Sequence, residues 1–223
     1  MRAALIALLA CATVSLAAPA AAQPNDAERR AAEWQANWER DHLCEAGFRP
    51  IAEVAATGVD LRRARYTEGM LALRMPGVTL ERRGDGKVFV SLTGGATPGE
   101  LRAEAPAEAW TTLIANDAAA FAPRPVAKPD PNAPPPKPPP ICHGWGVTLE
   151  AAEGNAFRKA QGHGCSYEAT KAAVDYGAAL ARLALDNIPE CEAARARATA
   201  GDPFYALGAC KGRFEPKTLA WRC

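Results

Sequence analysis

Residues 78–92, VTLERRGDGKVFVSL, alternate apolar and polar side chains on either side of a tip bracketed by two glycines. Val78 and Leu80 on one arm, and Val88, Val90 and Leu92 on the other, recur at every second position, the spacing at which a strand turns its side chains to one face. Gly84 and Gly86 permit the positive φ that a tight connection needs, and Asp85 suits a turn. The stretch therefore predicts a β-hairpin. Its tip spells Arg83-Gly84-Asp85, a tripeptide known from adhesion motifs, but turn chemistry already explains the glycine and the aspartate.

Toward the N-terminus, Asn25 followed by Glu28 has the form of a capping box, and Ala27, Ala31, Trp34 and Trp38 then follow at helical spacing. Gly47 and Pro50 stop that helix near Ala46. The two tryptophans on one stripe read as core packing in preference to a ligand-facing patch. A short helix is expected over residues 51–56. Residues 61–75 are ambiguous, weakly helical over 61–65 and strand-like over 70–75. Beyond the hairpin, Pro106 fits a first helical turn, and Trp110, Leu113, Ile114, Ala118 and Phe121 trace one face of a helix.

Residues 122–140, APRPVAKPDPNAPPPKPPP, hold ten prolines in nineteen positions. Such a run fixes φ, removes amide donors and favours polyproline II, so it is read as a linker between two domains. After it, residues 145–150 resemble a short strand and residues 151–163 show no clear period. Ser166 can cap a helix whose Ala169, Ala173, Tyr176, Leu180 and Leu183 are spaced 4-3-4-3 and which Asn187 and Pro189 end. A second helix is expected over residues 190–200, stopping at Gly201, with an irregular tail carrying Phe204, Tyr205, Phe214 and Trp221. The expected architecture is α+β. A signal peptide (1–22) precedes a small α+β domain with a β-hairpin and flanking helices (23–121), then the linker (122–140) and a mainly helical, disulfide-stapled domain (141–223).

The signal peptide rests on Arg2, the Leu- and Ala-rich run over residues 3–18, and Ala20-Ala21-Ala22 before Gln23, which fits the small-residue cleavage rule. A retained anchor or lipidation at Cys11 are the alternatives, the latter because Leu8-Leu9-Ala10-Cys11 resembles a lipobox. Export directs the chain to a periplasm or outside the cell. Lys plus Arg number 26 and Asp plus Glu 25, a balance that gives no footprint for nucleic acid or an anionic membrane. No transmembrane segment is expected in the mature chain.

Of the seven cysteines, all but Cys11 survive cleavage, and an even number in an exported chain reads as a disulfide framework. Only Cys44 precedes the linker, so complete pairing within one molecule ties it to the C-terminal part; disulfide-linked dimers or incomplete oxidation are the other possibilities. A helix over residues 166–186 would be about 30 Å long, and the few residues after it return the chain by only about 17 Å, which disfavours Cys165 with Cys191. The favoured pairs are Cys142 with Cys165 and Cys191 with Cys210, leaving Cys223 for Cys44.

Cys142, His143, His163 and Cys165 carry zinc-compatible atoms, but adjacent Cys-His departs from the usual ligand intervals. A cysteine nucleophile beside His42, His143 or His163 needs a thiol that the bridges leave over. There is no Cys-x-x-Cys, no Gly-x-Ser-x-Gly, no His-Glu-x-x-His and no phosphate-binding loop. Glu150 and Glu153 represent the many carboxylate pairs that would serve as acid and base only inside a cleft. No catalytic residue and no cofactor is assigned. The expectation is a non-enzymatic envelope module that binds or scaffolds an envelope protein, the cell wall or a small molecule. A small exported hydrolase with a site between the two domains, or a secreted inhibitor of a protease or lysozyme, stands as the alternative.

Overall fold

The computed structural model describes residues 25–68, 73–74, 76–95, 99–123, 144–198 and 203–211. Residues 1–24 with Cys11, the proline-rich run beyond Pro123, and Cys142, His143 and Cys223 lie outside them.

The expected N-terminal helix forms as α1 (Asp26–Glu45). Asn25 caps it through Oδ1, which accepts the Ala27 N–H at 3.1 Å, and the helix ends two residues before Gly47. The chain divides within this helix into two compact units, with the described residues 25–37 in one and residues from Trp38 onward in the other. In the first unit Trp34 is 65% exposed; the tryptophan expected to pack in a core is instead presented to solvent.

The second unit is built on one antiparallel sheet. α2 (Ile51–Ala55) leads into β1 (Asp60–Glu68), β2 (Leu73–Arg74), β3 (Gly77–Arg82), β4 (Val88–Thr93) and β5 (Glu100–Ala105), followed by α3 (Ala107–Ile114) and α4 (Asp117–Ala120). After the proline-rich run come β6 (Trp145–Glu153), β7 (Ala156–His163), α5 (Tyr167–Asn187), α6 (Glu192–Arg195) and α7 (Pro203–Lys211). The strand order is β5-β4-β3-β1-β6-β7, with the two-residue β2 paired to the end of β1. The hairpin is β3–β4, with Val78 opposite Leu92 and Leu80 opposite Val90, and Gly86 takes φ +83° at its tip.

The sequence suggested one core on each side of residues 122–140. The sheet instead draws strands from both sides: β1 pairs with β6 from Leu61–Ala152 to Glu68–Trp145. The C-terminal segment, expected to be mainly helical, supplies two of the longer strands. Residues 61–65, weakly helical in pattern, are the buried middle of β1.

α5 lies against the sheet on the face formed by Ala64, Tyr66, Val78, Leu80, Val90, Leu92, Val147 and Leu149. Ser166 sits at its N-cap as expected, although its side chain makes no capping bond. Ala173, Tyr176 and Leu180 of the expected stripe are buried and Leu183 is half-buried, but the buried face is wider than the spacing suggested: Thr170, Val174, Gly177, Ala178, Ala181, Ala184 and Leu185 are buried too, while Ala169 is exposed. Gly177 allows this approach, because a Cβ there would stand 2.9 Å from Val147 Cγ2. Its carbonyl accepts the Tyr66 hydroxyl at 2.6 Å.

Of the aromatic tail, residues 203–211 form α7 with Phe204 and Tyr205, and Phe214 and Trp221 lie outside the described residues. Phe204 is fully buried, with its ring centroid 3.9 Å from that of Trp145 and 6.0 Å from that of Tyr66, a burial that contributes about 1.5–3 kcal/mol. The expected Cys191–Cys210 disulfide holds α7 to the turn that precedes α6, its Cα atoms 4.8 Å apart. The second expected helix is shorter than residues 190–200, reduced to a 3-10 turn at Pro189–Cys191 and α6. The helix begun at Pro106 is likewise broken at Ala115–Asn116, giving α3 and α4. The opposite face of β1 and β6 carries a second apolar cluster of Ile51, Ala55, Leu61 and Ala152. No described helix is long and apolar enough to cross a membrane.

Candidate functional site

β1 reads Leu61-Arg62-Arg63-Ala64-Arg65-Tyr66, and the alternation of a strand sends Arg62 to one face and Arg63 with Arg65 to the other. Two rows of charge cross the sheet as a result. The first runs from Arg62 on β1 through Ala151 on β6 to Arg158 on β7; the second runs from Arg63 through Glu150 to Lys159 in the same order.

The first row converges on Asp117, at the start of α4. Arg62, 2% exposed, donates from Nε and Nη2 to Asp117 Oδ2 at 2.9 and 2.7 Å, and from Nη1 to the carbonyls of Leu61 and Ala152. Arg158 Nη2 reaches the same Oδ2 at 2.5 Å, and the Tyr176 hydroxyl donates to Oδ1 at 2.6 Å. Burial, then the hydrogen bond and charge of Asp117, push the Tyr176 phenol well above its ordinary pKa, so it stays a donor. The Arg62 and Arg82 guanidiniums both stack on the Trp110 ring, at 5.1 and 5.0 Å.

In the second row Glu150 is fully buried. Its Oε2 accepts from Arg63 Nε at 2.7 Å and from Arg65 Nε at 3.2 Å, while Arg63 also bonds the Arg49 carbonyl. Burial opposes the ionised carboxylate, but the charges of Arg63 and Arg65 and their hydrogen bonds outweigh it and hold the Glu150 pKa below its ordinary value. Glu150 Oε1 has no hydrogen-bond partner among the described residues; Lys159 Nζ stands 4.0 Å from it and donates to Glu39 at 2.5 Å.

These carboxylates are held by cations on opposite sides of the sheet. Glu150 and Glu153, named from the sequence as a generic acid and base, point to opposite faces of β6 because their separation is odd. Glu153 is a 68%-exposed partner of Arg62 and does not converge with Glu150. Arg62, Asp117, Arg158 and Tyr176 on one face, and Arg63, Glu150 and Lys159 on the other, carried no signal as groups, since their spacing in sequence is unrelated to how three strands and two helices bring them together.

His163 ends β7, and its Nδ1 accepts the Cys165 N–H at 3.1 Å. Cys165 and Cys44 are each engaged in a disulfide, which removes Cys165 as a thiolate ligand for the zinc set of Cys142, His143, His163 and Cys165. The partners named for them from the sequence, Cys142 and Cys223, are outside the described residues, as are the His42 side chain and His143. Among the described residues no three His, Cys, Asp or Glu side chains form a group suited to a metal ion. A shallow depression between α4 and α5 is lined by Ala119, Ala169 and Ala172 with Asn116, Glu168, Lys171 and Asp175, and Lys171 is paired to Asp175.

β7 is the last strand of the sheet, and no described strand pairs with its outer side. Phe157, Arg158 and Lys159 are exposed there, Phe157 by 50%. Compared with known proteins, the chain matches no family model, and no curated protein or solved structure is significantly similar to it.

Proposed function

We propose that the chain is an exported envelope protein that works as a binding or scaffolding module. The observation that carries this reading is the outer edge of β7, which offers main-chain donors and acceptors beside exposed Phe157, Arg158 and Lys159. Open edges of this kind are sites where another chain adds to a sheet. The two buried carboxylates are meanwhile committed to neighbouring side chains, Glu150 to Arg63 and Arg65 and Asp117 to Arg62, Arg158 and Tyr176. Such groups fix the sheet in place; a general acid or base needs a proton that it can exchange with a substrate.

Export is supported by the leader-like residues 1–22 and by the Cys191–Cys210 disulfide, because such bonds persist in oxidising compartments. The test is recovery of the full chain from an exporting host. Intact mass, reduced and unreduced, reports leader removal and bridges, and lysine cross-linking in the intact envelope before lysis reports neighbours. The proposal expects a shortened, oxidised chain that cross-links reproducibly to one envelope component. A cytosolic chain with all thiols alkylatable would overturn it.

A further inference from the structure

Resting on the binding reading above, we infer that β7 receives an extended, acid-bearing segment of another protein as an added strand. The His163 N–H donates to Thr170 Oγ1 at 3.0 Å, and the His163 carbonyl accepts from that hydroxyl at 3.2 Å. Both main-chain groups of His163 thus face away from β6 and toward α5. In an antiparallel ladder this facing repeats at every second residue, and the β6–β7 register is unbroken from Gly146–His163 to Glu153–Ala156. The N–H and C=O groups of Gln161, Lys159 and Phe157 therefore point outward as well. Thr170 closes the edge at one end, and no described strand covers the remainder.

The side chains state what should lie opposite. Phe157, Lys159 and Gln161 share one face, and Arg158 and Ala160 share the other. Around β7 the interlinked cations are Arg62, Arg63, Arg65, Arg158 and Lys159, against Glu39, Asp117, Glu150 and Glu153, an excess of one positive charge. Asp117 and Glu150 are buried, whereas Arg158, bonded on its inner side to Asp117, and Lys159, bonded to the half-buried Glu39, are at the surface. Two adjacent acids opposite Arg158 and Lys159, followed by an apolar residue opposite Phe157, complement this edge. A second copy of the chain fits less well, since symmetric pairing centred on Lys159 or on Arg158 sets two lysines or two arginines against each other.

The probe is the peptide acetyl-TVTEEVTV-amide, with acetyl-TVTKKVTV-amide as its charge-reversed control, titrated into the full chain at low salt. The acidic peptide is expected to bind at least about tenfold more tightly than the control and to slow amide exchange at Phe157, Lys159 and Gln161. Gln161→Pro removes one outward donor without touching the bonds to β6 and should weaken binding by a similar factor. Lys159→Gln, which leaves every main-chain group in place, should erase most of the preference between the peptides. Equal binding of the two peptides, protection elsewhere on the chain, or concentration-dependent self-association lost in Gln161→Pro would each overturn the inference. If the peptides fail while the chain is exported and cross-links to an envelope component, the inference falls and the binding reading stands.

Discussion

Arg63 and Glu150 stand directly opposite each other on β1 and β6, and neither has appreciable contact with solvent. Removing Glu150 leaves Arg63 buried without its carboxylate, and removing Arg63 leaves the fully buried Glu150 with only the longer bond from Arg65. Arg63→Met or Glu150→Leu alone should therefore destabilise the protein by about 3–5 kcal/mol in urea unfolding. The double variant places two apolar side chains there and should recover most of that loss, and additive losses would show that the pair is not the coupled unit described. The same carboxylate sets an acid limit. Because the folded Glu150 pKa lies below its unfolded value, its contribution is complete above the ordinary carboxylate range of about 4 and fades as pH falls through the lower folded value. The urea midpoint of Glu150→Gln, lower at neutral pH, should fall less steeply between pH 5 and about 2 than that of the parent. At this scale the sequence was least legible. Arginines on both faces of β1 hid a buried strand behind a charged pattern, because ion pairing across the sheet substitutes for the apolar alternation that marks a strand.

α5 shows what pattern reading recovers and where it stops. Its limits were legible within a residue at each end, because Ser166 and the Asn187–Pro189 stop are local chemistry. The full width of its buried face was not, since the close approach that widens it depends on Gly177 fitting against Val147 and on Tyr66 reaching the Gly177 carbonyl. Gly177→Ala tests this contact. Helix propensity alone would favour alanine by about 1 kcal/mol, whereas the added methyl meets a buried, β-branched side chain, and overpacking costs about 1–3 kcal/mol. The variant is expected to be less stable in thermal and urea unfolding; a gain in stability would mean that α5 can stand off from β6. The hairpin, α1 and α2 were legible for the same local reasons as the ends of α5. β6 is buried on both faces and β7 is largely exposed on both, so neither shows the half-buried alternation that identified β3 and β4.

Across the second unit, strands separated in sequence by the proline-rich run meet at the β1–β6 pairing, and Tyr66, Trp145 and Phe204 join the two parts in one core. A boundary read from proline content was thus reasonable as a statement about residues 122–140 and misleading about what they separate. Composition reports that a segment cannot build a core; it does not report whether the flanking segments build one core or two. The direct test is to insert a protease site between residues 124 and 140 in a Cys11→Ser, Cys44→Ser background, so that no disulfide can join the two pieces, and to cleave the folded protein. The two pieces should co-elute in size exclusion without denaturant and separate only when the sheet unfolds. Separation into two pieces that each keep a cooperative unfolding transition would contradict a sheet shared between them.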